Sequence, residues 1–186
     1  MSLLRPAAPD FSDPLGLLAA CHERMLANCA LLQRMLEWLP AHGVDAELRR
    51  SVLQVTRYFE TAARHHHADE ELDLFPVLAQ STGLVPLIER LQSEHGLLEA
   101  AWEELVAQLQ ALLDGRDAPA LESRVNAFVT AYGAHIETEN AGILPVARES
   151  LSAAQIATLG HAMARRRGVT SVATARSGAP THHGSA

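Results

Sequence analysis

The sequence predicts an all-α protein, an up-down-up-down four-helix bundle with a short fifth helix and a disordered tail behind it. Three observations predict it. Apolar side chains recur at steps of three and four along four long stretches, the period of one helical face. Short runs containing Gly, Pro and Asp separate those stretches, and short connections between long helices make antiparallel neighbours. A chain of 186 residues, 48% of them hydrophobic, is long enough for one domain with a real core. On this reading residues 1–11 are an N-terminal arm, 12–168 the domain and 169–186 the tail.

The first helix opens at Ser12-Asp13-Pro14, a capping residue and a proline suited to a first turn. Its stripe of Leu15, Leu18, His22, Met25, Cys29, Leu32, Leu36 and Leu39 stops at Pro40, with His22 as the one polar interruption. Gly43-Val44-Asp45 forms a turn. The second helix carries Val52, Val55, Phe59, Ala62, His66, Glu70, Leu74 and Val77 and ends at Ser81-Thr82-Gly83, with Pro76 bending its last turns. The third, from about Val85 to Leu113, aligns Leu87, Leu91, His95, Leu98, Trp102, Leu105, Leu109 and Leu112; only His95 is polar. After the turn at Asp114 to Asp117, the fourth aligns Leu121, Val125, Phe128, Tyr132, His135, Glu139, Ile143 and Val146 and ends near Glu149. Ser152 to Gln155 is a capping box for the fifth helix, Ala153 to about Arg167, which Gly168 closes. The stretch from Val169 onward has no apolar period to bury and reads as disordered.

Two helices carry the same device. His66 and Glu70, and again His135 and Glu139, stand at i and i+4 where the stripe calls for apolar side chains. Glu70 is followed by Leu74-Phe75-Pro76-Val77 and Glu139 by Ile143-Leu144-Pro145-Val146, at identical offsets. That match fixes the register of the His65-His66-His67 run, because counting back ten residues from each proline gives His66 and His135. A carboxylate left unpaired in a core is costly, so a buried Glu70 or Glu139 implies a cation.

Helical rise places the four interruptions in one layer. From the turn between the first two helices, His22 and His66 each lie roughly 27 to 33 Å away, and His95 and His135 are level to within about 3 Å from their own turn. The set is His22, His66, Glu70, His95, His135 and Glu139, four imidazoles and two carboxylates. A single zinc site uses three or four ligands, so six donors argue for two ions bridged by the glutamates, with a coordination position left for an outside ligand. Mixed nitrogen and oxygen ligation without thiolate suits iron best, with manganese and zinc as substitutes.

In its residues the pattern resembles the hemerythrin-like HHE cation-binding domain family: His22 alone, His66-x-x-x-Glu70 before Leu-Phe-Pro, Glu94-His95, and His135-x-x-x-Glu139 before Leu-Pro. The likeness covers about Pro14 to Arg167. It implies a four-helix bundle enclosing a non-haem di-iron site, in a family whose members bind oxygen, sense iron or oxygen, repair iron–sulphur clusters, or react with peroxide or nitric oxide. Oxygen carriers of the family have a histidine where this chain has Glu99 and a carboxylate where it has Asn140, which argues against reversible oxygen transport. The six-residue set is closer to that of the iron-cluster repair proteins, whose cysteine-bearing N-terminal domain has no counterpart in this sequence.

Composition narrows the function further. A net charge of −7 disfavours a general nucleic-acid surface, and no sustained apolar run or secretory leader is visible. Cys21 and Cys29, roughly 12 Å apart along one helix, cannot pair, so a cytoplasmic location is expected. The expected ligands are two iron ions and a small diatomic or peroxide molecule; no protein partner is indicated. The expected function is binding or reduction of a small oxidant, with iron or oxygen sensing or cluster repair as the alternative. Among other polar residues, Glu99 is an exposed side chain or a seventh ligand, His67 pairs with Glu71 beside the site or, in a shifted register, displaces His66, Tyr132 approaches the site from one turn before His135, and Cys29 packs as a small buried group. His42, His65 and His161 fall on surfaces or turns. A pocket lined by Met25, Cys29, Phe59, Leu98, Trp102 and Phe128 is expected beside the ions.

Overall fold

Asp13 accepts a hydrogen bond from the Gly16 amide and Pro14 begins the first helix, Pro14–His42, as its sequence signal requires. The structure, a computed structural model, describes residues 9–169 apart from residue 82. Most of the expected arm and nearly all of the expected tail lie outside those residues. Among the described residues there is helix and no strand.

The first helix does not stop at Pro40 but continues to His42. Pro40 sits exposed in the last turn, where a missing amide costs one bond only. That turn is secured in other ways: the Gly43 amide donates to the Leu39 carbonyl at 2.9 Å and the Trp38 and His42 rings stack at 3.7 Å. The Trp38 indole then donates to Asp45, and Asp45 in turn accepts from the Leu48 amide to cap the second helix.

The second helix spans residues 46–81 and is not uniform. Ala46–Tyr58 leads into a wide π-turn at Phe59–Ala63, then Arg64–Asp69, a second wide turn at Glu70–Leu74, and Phe75–Ser81. A π-turn holds an extra residue, so the inward face advances by one. Ala63 and Leu78 are therefore buried where the regular period pointed to Ala62 and Val77, which are half-buried. The second wide turn, closed by the Phe75 amide on the Glu70 carbonyl, stands directly before Pro76. It gives the proline ring room that a regular turn would fill with the carbonyl four residues back.

The third helix is Val85–Leu113. The fourth, expected to run unbroken to about Glu149, is Leu121–Gly142, a break at Ile143, and then Leu144–Ser150. Pro145 has no amide to give to the preceding turn, and Gly142 is a weak helix former that the Leu87 side chain approaches closely, 2.8 Å from where a Cβ would stand. The C-terminal helix, Ala153–Arg166, has both hydrogen bonds of its Ser152/Gln155 capping box, and Gly168 closes it at φ +71.

The first helix packs on the second and fourth, and the third packs on the fourth and second, so the four form a ring. Among the described residues, the first helix alone is long and apolar enough, by length and composition, to cross a membrane. In this fold it faces two separate cores. One is built on Met25, Val55, Phe59, Trp102, Leu105 and Phe128, the other on Leu18, Leu74, Phe75, Leu91, Ile143 and Met163. A polar layer lies between them. The C-terminal helix covers one side of that layer and is held by charge: Arg167 makes two bonds to the fully buried Asp69, at 2.6 and 3.1 Å, while Arg166 donates to Asp69 and, at 2.6 Å, to Asp73.

Candidate metal centre

The layer between the cores contains all six residues singled out from the sequence. The first helix contributes His22, the second His66 and Glu70, the third His95, and the fourth His135 and Glu139; all are buried, the two glutamates completely. His22 Nε2 lies 3.0 Å from His66 Nε2 and 3.1 Å from Glu139 Oε2, and His66 Nε2 lies 3.2 Å from Glu70 Oε1. On the other side His135 Nε2 is 3.1 Å from Glu139 Oε1, and His95 Nε2 is 3.5 Å from Glu70 and 3.6 Å from Glu139. Both glutamates thus face both pairs of histidines.

These edges suit a cation. With metal–nitrogen bonds of about 2.1 Å, two ligands at right angles stand roughly 3 Å apart. Both oxygens of Glu70, both of Glu139, and Nε2 of His95 and His135 are buried without a hydrogen-bond partner. Six such atoms converging in a dry layer would be prohibitively costly unless a positive charge sits among them. The residues present therefore fit a metal.

The far side of three of the four rings explains why Nε2 faces inward. His22 Nδ1 donates to Asn140 at 2.8 Å, His95 Nδ1 to Glu71 at 2.7 Å, and His135 Nδ1 to Glu94 at 2.9 Å. Holding the proton on Nδ1 leaves a lone pair on Nε2, which is how ligating histidines are usually oriented. Arg90 fixes Glu94 in turn, at 2.7 Å. The fourth ring, His66, has the Cys21 thiol beside it.

Without a metal, protons meet the charge demand. Burial opposes a charged His22, yet the neighbouring carboxylates of Glu139 and Glu70 raise its pKa to about 9. Burial likewise opposes charge on His66 and His95, and the same carboxylates raise both. Burial pushes Glu139 up, but the imidazoles of His135, His22 and His95 beside it hold it well below the usual carboxylate range.

The profile of the hemerythrin HHE cation-binding domain matches residues 13–147, the span that holds all six. The chain belongs to that family. An uncharacterized protein of Haemophilus influenzae is 31% identical over 171 residues, which cover 91% of this chain and 99% of that protein. The family binds metal cations, and the histidine and glutamate clusters here can hold one.

Several expectations about neighbouring residues change. Glu71 does not pair with His67; it accepts from His95. Glu99 is exposed and is no ligand in this arrangement. His67 is buried as deeply as the set itself: its ring stacks on His95 at 4.0 Å and its Nε2 meets the Tyr132 hydroxyl at 3.1 Å. Burial and the neighbouring His95, His66 and His135 push its pKa down to about 2, so it stays neutral. Tyr132 reaches the layer through His67 rather than directly. A cavity of about 20 Å³, room for one water-sized molecule, adjoins the layer and is lined by His67, Tyr132, Phe59, Leu98, Trp102 and Phe128. Met25 and Cys29, expected to line it, do not reach it. Asp69 passed unnoticed in the sequence, although a buried carboxylate calls for a cation and Arg166-Arg167 supplies two.

Proposed function

We propose that this chain is a non-haem di-iron protein that binds or reduces a small oxidant, namely oxygen, peroxide or nitric oxide. The observation that carries the reading is the division of the inward donors into two histidine pairs, His22/His66 and His95/His135, with Glu70 and Glu139 facing both. That division asks for two ions sharing two carboxylates. Nitrogen and oxygen donors without thiolate favour iron over softer metals, with manganese or zinc able to substitute. Iron held there would supply one-electron redox chemistry and an open coordination position.

The chain's own residues would do the rest. Asn140, Glu71 and Glu94 keep the Nδ1 protons of three histidines in place, so the Nε2 lone pairs stay aimed at the ions. The two flanking cores exclude bulk water. The adjoining cavity, about 20 Å³ and lined largely by Phe59, Leu98, Trp102 and Phe128, selects for small molecules. Tyr132, its phenol kept protonated by burial, lies against His67 Nε2 at the edge of that cavity. In this reading the helices run up-down-up-down, and the free thiols Cys21 and Cys29 suit a reducing, cytoplasmic setting.

The test is stopped-flow mixing of anaerobically reduced, iron-loaded protein with oxygen, peroxide and nitric oxide in turn. Rapid reaction with at least one, leaving the fold intact, is expected. Inertness toward all three would contradict the proposal and favour a structural metal instead.

A further inference from the structure

We infer that His67 is a seventh protein ligand, giving a third imidazole to the ion held by His95 and His135; the inference rests on the di-metal reading above. His67 is not part of the repeated motif, since its counterpart in the fourth helix is Ile136. It is nonetheless 6% exposed, inside the polar layer. One of its ring nitrogens lies within 4.8 Å of ring nitrogens of both His95 and His135, while His22, His66, Glu70 and Glu139 form a separate group of the same tightness. The seven donors therefore split into two clusters, and His67 belongs to the poorer one.

Three features make the assignment chemical as well as spatial. His67 has one nitrogen against an oxygen, the Tyr132 hydroxyl at 3.1 Å, and the other, Nδ1, buried without a partner. His95 and His135 show the same division, one nitrogen held by a carboxylate and the other without a hydrogen bond. The second helix brings His66 and His67 into the layer together between its two wide turns, Phe59–Ala63 and Glu70–Leu74, and such turns re-aim side chains at functional sites. Finally, Glu99, the other candidate for a further donor, is exposed. The His67 and His95 rings stack at 4.0 Å with 12° between planes, so joint ligation turns one ring out of the stack by rotation about its side-chain bonds.

The consequence is unequal ions, one with two imidazoles and one with three. Mössbauer spectra of the protein loaded with ⁵⁷Fe should show two distinct doublets. In His67→Gln, which keeps a polar group toward Tyr132, they should converge. Anaerobic cobalt(II) titration should give two ions in both proteins, with the weaker one loosened about tenfold or more in His67→Gln. In His67→Ala, added imidazole should restore the binding. Tyr132→Phe removes the hydroxyl but not the imidazole and should keep two distinct doublets. Wild-type isotherms and unchanged doublets in His67→Gln would overturn the assignment while leaving the di-metal reading intact. A wild-type chain that takes fewer than two ions would overturn both. Circular dichroism of the metal-free variants separates loss of a ligand from loss of fold, and if His67→Ala fails to fold, His67→Gln decides.

Discussion

Stripping the metal should make the stability of this protein fall as pH rises from about 6.5 to about 9. The cause is the competition between protons and cations for one buried carboxylate pair. In the metal-free fold His22 has a pKa near 9, against 6.5 in the unfolded chain, because Glu139 and Glu70 outweigh the cost of burial. A group whose pKa is raised by folding stabilises the fold fully below its unfolded pKa, and that contribution disappears as pH passes the folded value. For His22 the rise is worth about 3 kcal/mol at 1.36 kcal/mol per pH unit. His66 and His95 shift in the same direction but share the same two carboxylates, so their effects do not simply add. For a domain of this size the change corresponds to a fall in Tm of roughly 6 to 12 °C. Scanning calorimetry of metal-free and metal-loaded protein between pH 6 and 9.5 would measure it. The loaded protein should lack this slope, because ions replace the protons, and metal affinity should rise over the same window. A metal-free Tm that holds constant or climbs from pH 6.5 to 9 would refute the argument.

Glu70→Ala removes a carboxylate that faces both histidine pairs and should lower metal content from two ions per chain to one or none. Glu71→Ala should keep two, with the His95 side weakened about 10- to 100-fold; elemental analysis and competition with a chelator distinguish them, and the reverse pattern would show that the second-helix register is misassigned. Asp69→Ala leaves Arg166 and Arg167 facing each other with Asp73 alone, and should cost about 2 kcal/mol in urea unfolding, less than for a wholly buried pair because both guanidinium groups are partly exposed. A loss below about 0.5 kcal/mol would mean that the C-terminal helix is held by its apolar face, Leu159 and Met163, instead.

The helical class and the convergence of the six residues in one buried layer were legible because each rests on strong periodic signals. His22 and His95 stood out as lone polar residues in otherwise apolar stripes, and the paired His-x-x-x-Glu devices shared a proline at a fixed distance. What stayed hidden depends on departures from a regular helix. A constant period cannot foresee the wide turns at Phe59–Ala63 and Glu70–Leu74, and those turns exchange Ala62 for Ala63 and bring His67 inside. The break at Ile143 follows from Pro145, whose counterpart Pro76 is absorbed by a π-turn; one residue type has two local solutions. Which histidine each far-side partner holds was likewise hidden: Asn140 and Glu71 were noticed in the sequence, but nothing in the periodicity pairs them with His22 and His95. Glu94 carried a signal as the residue directly before His95, but its partner is His135 on the fourth helix.

The central claim is that His22, His66, Glu70, His95, His135 and Glu139 hold two iron ions. It is tested most directly by the metal content of protein purified aerobically from iron-supplied cells, measured together with its visible spectrum and the effect of azide on that spectrum. Two iron atoms per chain, with absorption that azide perturbs, are predicted. A single zinc ion per chain, or a chain that folds and melts identically with no metal at all, would contradict it.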